Sequence, residues 1–187
     1  MNRFGWGLLI CFLIVLVIFV ASIRGNQLPS DPGLKDARQA SLVMPVAGAS
    51  SERLTDTFDQ DREDHARQHQ ALDIPAPRGT VVVSASEGFV EKLLDSQRGG
   101  HTIYIRSADR SWTYYYAHLD RYAAGLREGA KVKPRQQIAF VGSTGNAEPA
   151  APHLHFAIWR MSPGDPWYKT GKAIDPYPLL AASAPAR

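Results

Sequence analysis

The chain has 187 residues, is 44% hydrophobic and 21% charged, and sets 21 Lys and Arg against 18 Asp and Glu for a formal charge of +3. That length holds one ordinary domain with appendages. The small positive excess is dispersed, which argues against the clustered basic face that nucleic-acid binding needs, while remaining compatible with an anionic polymer or a phospholipid surface.

Read from the amino terminus, Phe4 to Ile23 is an apolar run without a charged side chain, preceded by Arg3 and closed by Arg24. Its length matches the ~20 residues that cross a bilayer as a helix. A secretory signal with cleavage near Val20-Ala21-Ser22 is the alternative, but signal apolar cores run ~7–15 residues. Residues 1–24 are therefore expected to be an uncleaved transmembrane anchor with the short basic end inside. The remainder would face the periplasm or the exterior. The only cysteine, Cys11, lies within the apolar run, so the exported part has no disulfide and relies on its core. Residues 25–41, rich in Gly, Pro, Asp and Ser, read as an irregular tether.

A domain over 42–180 follows. His65 sits in the charged stretch Asp59 to Arg67 and reads as part of an exposed loop, although His65-x-x-x-His69 is a conceivable metal pair. His69-Gln70-Ala71-Leu72-Asp73 puts an imidazole and a carboxylate four apart, on one face of either an extended or a helical backbone. Both are good zinc donors. The bland alternative is a solvated His and an Asp that caps a turn. The runs 80–83, 88–93, 102–106, 112–116 and 137–141 read as short strands separated by Gly-rich breaks, which argues for an all-β domain. His101 follows Gly99-Gly100, a hairpin-turn signal, and is expected to be exposed. His118 is expected at the tip of the strand that ends Tyr114-Tyr115-Tyr116-Ala117, and Tyr122 to Leu126 is the one modest helix candidate beyond the anchor.

His153-Leu154-His155 opens another strand-like run. A strand turns every second side chain to the same face, so both imidazoles point one way and Leu154 and Phe156 the other. Two surface histidines on an edge strand are the bland reading. If one of this pair joins His69 and Asp73, a metal gains three protein ligands and keeps one position for water, the pattern of a catalytic rather than a structural zinc. Trp167 and Tyr168 then read as ordinary core, with packing beside the groove as the alternative. Residues 181–187, rich in Ala and Pro, read as a disordered tail, and no repeat of solenoid spacing is present.

These three histidine segments, in this order and context, resemble the lysostaphin-type (LytM-like) zinc endopeptidases that cut peptidoglycan. The resemblance extends to Leu72-Asp73-Ile74-Pro75-Ala76-Pro77-Arg78-Gly79-Thr80-Val81. It includes Gly129-Ala130-Lys131-Val132, Ile138 and Val141-Gly142-Ser143-Thr144-Gly145-Asn146, and runs from about residue 43 to about residue 180. It implies an antiparallel β-sheet domain in which His69, Asp73 and His155 hold Zn2+ and His118 and His153 are the catalytic histidines. Two departures stand out. Ala71 occupies a position where glycine is common, and Pro134-Arg135-Gln136 replaces a Gly-Asp turn. Neither touches a site position.

The implied function is a membrane-anchored zinc-dependent endopeptidase that hydrolyses peptide bonds in peptidoglycan stem peptides or crosslinks, single-pass in the inner membrane, with no nucleic-acid partner. Such an anchor favours a direct crosslink over a glycine bridge as the target. The chain lacks a His-Glu-x-x-His motif, so a Glu within such a motif is not its general base. His118 and His153 are expected to move the protons, since an imidazole titrates near working pH. A non-catalytic cell-wall-binding or hydrolase-activating module with the same fold is the alternative.

Overall fold

Val, Ile, Thr and aromatic side chains fit a pleated, half-buried surface, and the runs that carry them form strands throughout the computed structural model. The structure describes residues 42–62, 67–162 and 164–182. The expected anchor, the tether, His65 and residues 183–187 lie outside the described residues. Among the described residues, no helix is long and apolar enough to cross a membrane.

Strands β1 (Asp61–Arg62) and β2 (Arg67–Gln68) form a two-stranded ribbon. The other nine make one antiparallel sheet: β3 (Leu72–Pro75), β4 (Val81–Val83), β5 (Gly88–Ser96), β6 (Gly100–Arg106), β7 (Trp112–Tyr122), β8 (Lys131–Val132), β9 (Gln137–Val141), β10 (His153–Arg160) and β11 (Lys172–Ile174). The main path runs β11-β10-β7-β6-β5-β8, with β3 on β10 and with β9 pairing both β4 and β7. A 3-10 turn at Ser51–Arg53 and a short helix α1 (Tyr177–Ala181) flank the sheet in sequence. The expectation of an all-β antiparallel domain holds for the described residues.

The site is laid out on β10. One edge of β10 pairs with β7, from His155↔Ala117 to Arg160↔Trp112. The other edge is shared: β3 takes residues 153–156 and β11 takes residues 158–160. On the core side, Leu154, Phe156 and Ile158 are buried with Leu72, Ile74 and Tyr116. The Tyr116 and Phe156 rings sit 5.2 Å apart. The Tyr116 hydroxyl accepts the Ala85 N–H at 2.9 Å, so its one polar atom is satisfied inside the core. Arg106 is equally buried. Its guanidinium donates to Glu91 at 2.7 Å and to the carbonyls of Arg110 and Asp165 at 3.2 and 3.1 Å, which offsets the cost of desolvating the charge.

Four local expectations need correction. His118 is not at a strand tip, because β7 continues to Tyr122. The segment after Tyr122 is a turn rather than a helix, since it carries Gly125 at φ 78°, a left-handed backbone that breaks helical continuity. Trp167 and Tyr168 are not core: Tyr168 is 72% exposed, and the Trp167 ring lies 5.6 Å from Tyr104 with the Lys92 ammonium 5.6 Å from its centroid. Ala181 closes α1 instead of beginning an irregular tail. The Pro134-Arg135 departure is accommodated as a type II turn, with Pro134 leading, Arg135 at φ 67°, and Gln136 N–H donating to the Lys133 carbonyl at 3.1 Å.

Candidate metal centre

Register brings the donors together. His155 on β10 is the direct cross-strand partner of Asp73 on β3, so their side chains rise next to each other from one face. His69 precedes β3 and reaches the same point because Gln70 takes a left-handed turn at φ 53°. The left-handed residue is Gln70, so Ala71 is not required to be glycine; it packs fully buried.

Three donor atoms form a triangle. His69 Nε2 lies 3.0 Å from Asp73 Oδ1 and 3.0 Å from His155 Nδ1, and His155 Nδ1 lies 3.1 Å from Asp73 Oδ1. His69 gives its Nδ1–H to the Thr57 carbonyl at 2.8 Å, which leaves Nε2 with a lone pair facing the triangle. The single hydrogen that a neutral His155 can carry on Nδ1 serves only one of two neighbouring acceptors. Converging acceptors of this kind suit a cation, and two imidazoles with one carboxylate are a zinc donor set. Tetrahedral zinc with bonds of ~2.0–2.2 Å sets its donors ~3.3–3.6 Å apart, so the triangle need open by only a few tenths of an ångström. These are the three residues that could hold a metal ion among the described residues.

The electrostatics favour the ligating forms. Burial works to raise the Asp73 carboxyl, but the hydrogen bond from His155 and the closeness of the His69 imidazole outweigh it and hold the carboxylate ionised far below its ordinary range. Burial pushes the His155 imidazole down, against the pull of Asp73, and so favours the neutral ring that a metal requires.

His118 and His153 look onto the same spot. Their ring centroids are 5.0 Å apart, and His118 lies 5.6 Å from the His155 ring. Strict alternation on β7 would turn Ala117 to this face and His118 into the core. A β-bulge prevents that. Between the pairs His101↔Leu119 and Ile103↔Tyr116, β6 advances two residues and β7 three. His118 is in the bulge, at φ 59°, and turns to the same face as Ala117 while Leu119 returns to the core. Its Nδ1–H donates to the Thr144 carbonyl at 2.9 Å, so Nε2 is free to accept. Burial pushes the His118 imidazole down to about 4, opposed by that carbonyl and reinforced by the neighbouring histidines. His153 Nδ1–H likewise donates to the Ala151 carbonyl at 2.8 Å, and its Nε2 sits 3.8 Å from Asp73 Oδ1.

All five residues line one groove of about 980 Å³, whose wall continues along β10 to Trp159 and across to Tyr115 and Tyr104. Trp159 stacks on Tyr115 at 5.2 Å. His101 is outside this lining; half-exposed, it sits 3.7 Å from Asp95.

Sequence reasoning missed Thr57 and Thr144, which orient His69 and His118 through backbone carbonyls. Any residue can supply a carbonyl, so no side-chain pattern announces it. The aromatic wall was more accessible, since Trp159 shares its β10 face with His155 at an even spacing.

Comparison with known proteins follows the same lines. A family model described as peptidase family M23 matches residues 67–176. The chain is 36% identical over 121 residues to the L-Ala--D-Glu endopeptidase of Bacillus subtilis, covering 62% of this chain and 35% of that protein. It is 36% identical over 90 residues to the peptidoglycan DD-endopeptidase ShyC of Vibrio cholerae, covering 48% and 20%. It is 33% identical over 113 residues to the murein hydrolase activator NlpD of Salmonella dublin, covering 60% and 26%. The chain thus spans about a third or less of the length of these relatives. Among solved structures, the catalytic domain of lysostaphin from Staphylococcus simulans matches with a TM-score of 0.54 at 25% identity, covering 78% of this chain and 96% of that one. A zinc-containing peptidase from Vibrio cholerae matches with a TM-score of 0.54 at 28% identity, covering 64% and 36%. The family match runs over more than half of the chain and takes in His69, Asp73, His118, His153 and His155: the chain belongs to peptidase family M23.

Proposed function

We propose that the chain is a zinc-dependent endopeptidase that hydrolyses peptide bonds in peptidoglycan stem peptides or crosslinks. In this reading His69, Asp73 and His155 hold the ion, and His118 and His153 carry the protons. The observation that carries it is the convergence of three donor atoms within 3.1 Å of one another, with two further imidazoles facing the same point. Relatives named as peptidoglycan and L-Ala--D-Glu endopeptidases support the substrate class.

A zinc ion held by this set supplies Lewis acidity toward water and toward the scissile carbonyl. The chain's own residues supply the rest. His118, kept neutral by burial, presents a free Nε2 that takes the proton of the attacking water. The same ring, once protonated, gives that proton to the departing amine. His153, whose Nε2 faces Asp73 beside the His118 ring, hydrogen-bonds the reacting carbonyl or amine. The carbonyls of Thr144 and Ala151 fix both tautomers, so neither ring need rotate between steps.

An envelope location fits relatives that include a lipoprotein and a murein hydrolase activator. Anchoring of residues 1–24 in the inner membrane, with 42–180 as the peptidase domain outside it, is part of the proposal. The activator relative also favours a second reading, in which the same groove binds cell wall or a partner hydrolase without cutting. Incubation of the purified full-length chain with intact peptidoglycan, with and without a chelator, separates the two. New amino termini that chelation suppresses establish the peptidase; binding without release establishes the module.

A further inference from the structure

Thr57 precedes the family match at residues 67–176, yet it touches both donors that the first motif contributes. Its backbone carbonyl accepts Nδ1–H of His69 at 2.8 Å. Its hydroxyl donates to the Ala71 carbonyl at 3.2 Å and accepts the Asp73 N–H at 3.0 Å. Thr57 is buried, so bulk water does not compete for these bonds. Adjacent backbone bonds continue the contact: His69 N–H donates to the Gln60 carbonyl and Gln70 N–H to the Phe58 carbonyl, both at 2.8 Å. Thr57 is itself steadied by Asp56, whose carboxylate accepts the Phe58 N–H at 3.0 Å.

We infer that Thr57 is a positioning residue of the metal centre, one that holds His69 and Asp73 in ligating geometry before an ion arrives. The inference rests on the proposed zinc site and adds to it a residue that touches no ion. The chemistry is specific. The carbonyl selects the His69 tautomer whose Nε2 carries a lone pair. The hydroxyl closes the backbone between residues 71 and 73, next to the left-handed Gln70, so that Asp73 stays opposite His155. A hydroxyl donates and accepts at once, which an aliphatic side chain of the same shape cannot do. Groups that orient metal ligands are worth a sizeable share of metal affinity.

The test compares full-length wild type with Thr57→Val and Thr57→Ser, measuring zinc affinity by competition with a chromogenic chelator. Thr57→Val should bind ~10–100-fold more weakly, and Thr57→Ser should stay within about threefold of wild type. Thermal unfolding of the chelator-treated proteins shows whether Thr57→Val folds. If it does not, the wild type decides: nitrogen-15 shifts of the metal-free protein should show His69 protonated on Nδ1. Equal affinity of Thr57→Val and wild type, or a proton on Nε2 of His69, overturns the inference while leaving the zinc site intact. Absence of zinc binding in wild type overturns the site itself, and the role of Thr57 with it.

Discussion

The two faces of β10 obey different rules although they alternate along one backbone. Leu154, Phe156 and Ile158 are almost fully buried among apolar neighbours and their packing stabilises the fold. His153, His155, Ala157 and Trp159 line the groove. There hydrogen bonds to backbone carbonyls and to Asp73 hold the imidazoles, and three metal-ligating atoms are drawn together beside two further imidazoles. One face holds the domain together; the other gathers imidazole nitrogens and a carboxylate at one point that suits a cation. The division teaches that a period of two is enough to separate stability from chemistry on a single strand.

That separation can be broken experimentally, beginning with the groove face. Asp73→Ala removes the only anionic donor and should abolish both zinc content and hydrolysis, as read by elemental analysis and by release of amino termini. His118→Ala and His153→Ala should each keep one zinc and lose roughly 10²–10⁴ in rate, the usual scale of proton-transfer catalysis. Loss of zinc in either would place that histidine among the residues that hold the ion. On the opposite face, Phe156→Ala should cost ~3–5 kcal/mol in denaturant unfolding, since it deletes a fully buried ring. The same variant should retain its zinc stoichiometry. If it lost zinc without losing stability, the two faces would not be independent.

The smallest effect concerns acid. Burial holds His118 at about 4 against an ordinary 6.5. Between those values the unfolded chain binds a proton that the folded chain refuses, so the metal-free protein loses stability as pH falls from 6.5 to 4. The depressed Asp73 carboxyl acts lower, with its stabilising effect present above 3.8 and lost only as pH falls further. His118→Asn, whose side chain tolerates a left-handed backbone, should flatten the slope in the upper window only. An unchanged slope there would mean that His118 is not the group responsible.

Much of this was legible in the residue pattern. The period-two spacing of His153 and His155 gave the face on which both lie, and the strand runs gave an all-β domain. The co-location of His69, Asp73 and His155 was legible only through family resemblance, because it depends on pairing β3 with β10 across about eighty positions of chain. His118 was hardest. Alternation alone buries it, and only the extra residue in β7, invisible without its partner strand, reverses that outcome. Trp167 and Tyr168 misled because bulk and apolarity describe surface aromatics, such as Trp167 against Tyr104 and Lys92, as well as a core.

The bulge makes the length of β7 itself a chemical variable. Removing one of the two residues between Tyr116 and Leu119 would restore an unbroken pleat with a single position on the groove side, so that deleting Ala117 would pull the imidazole to the place opposite His155 and deleting His118 would remove it altogether. Anyone exchanging this strand between family members, or trimming it to tidy the hairpin, must therefore conserve its residue count as strictly as its histidine.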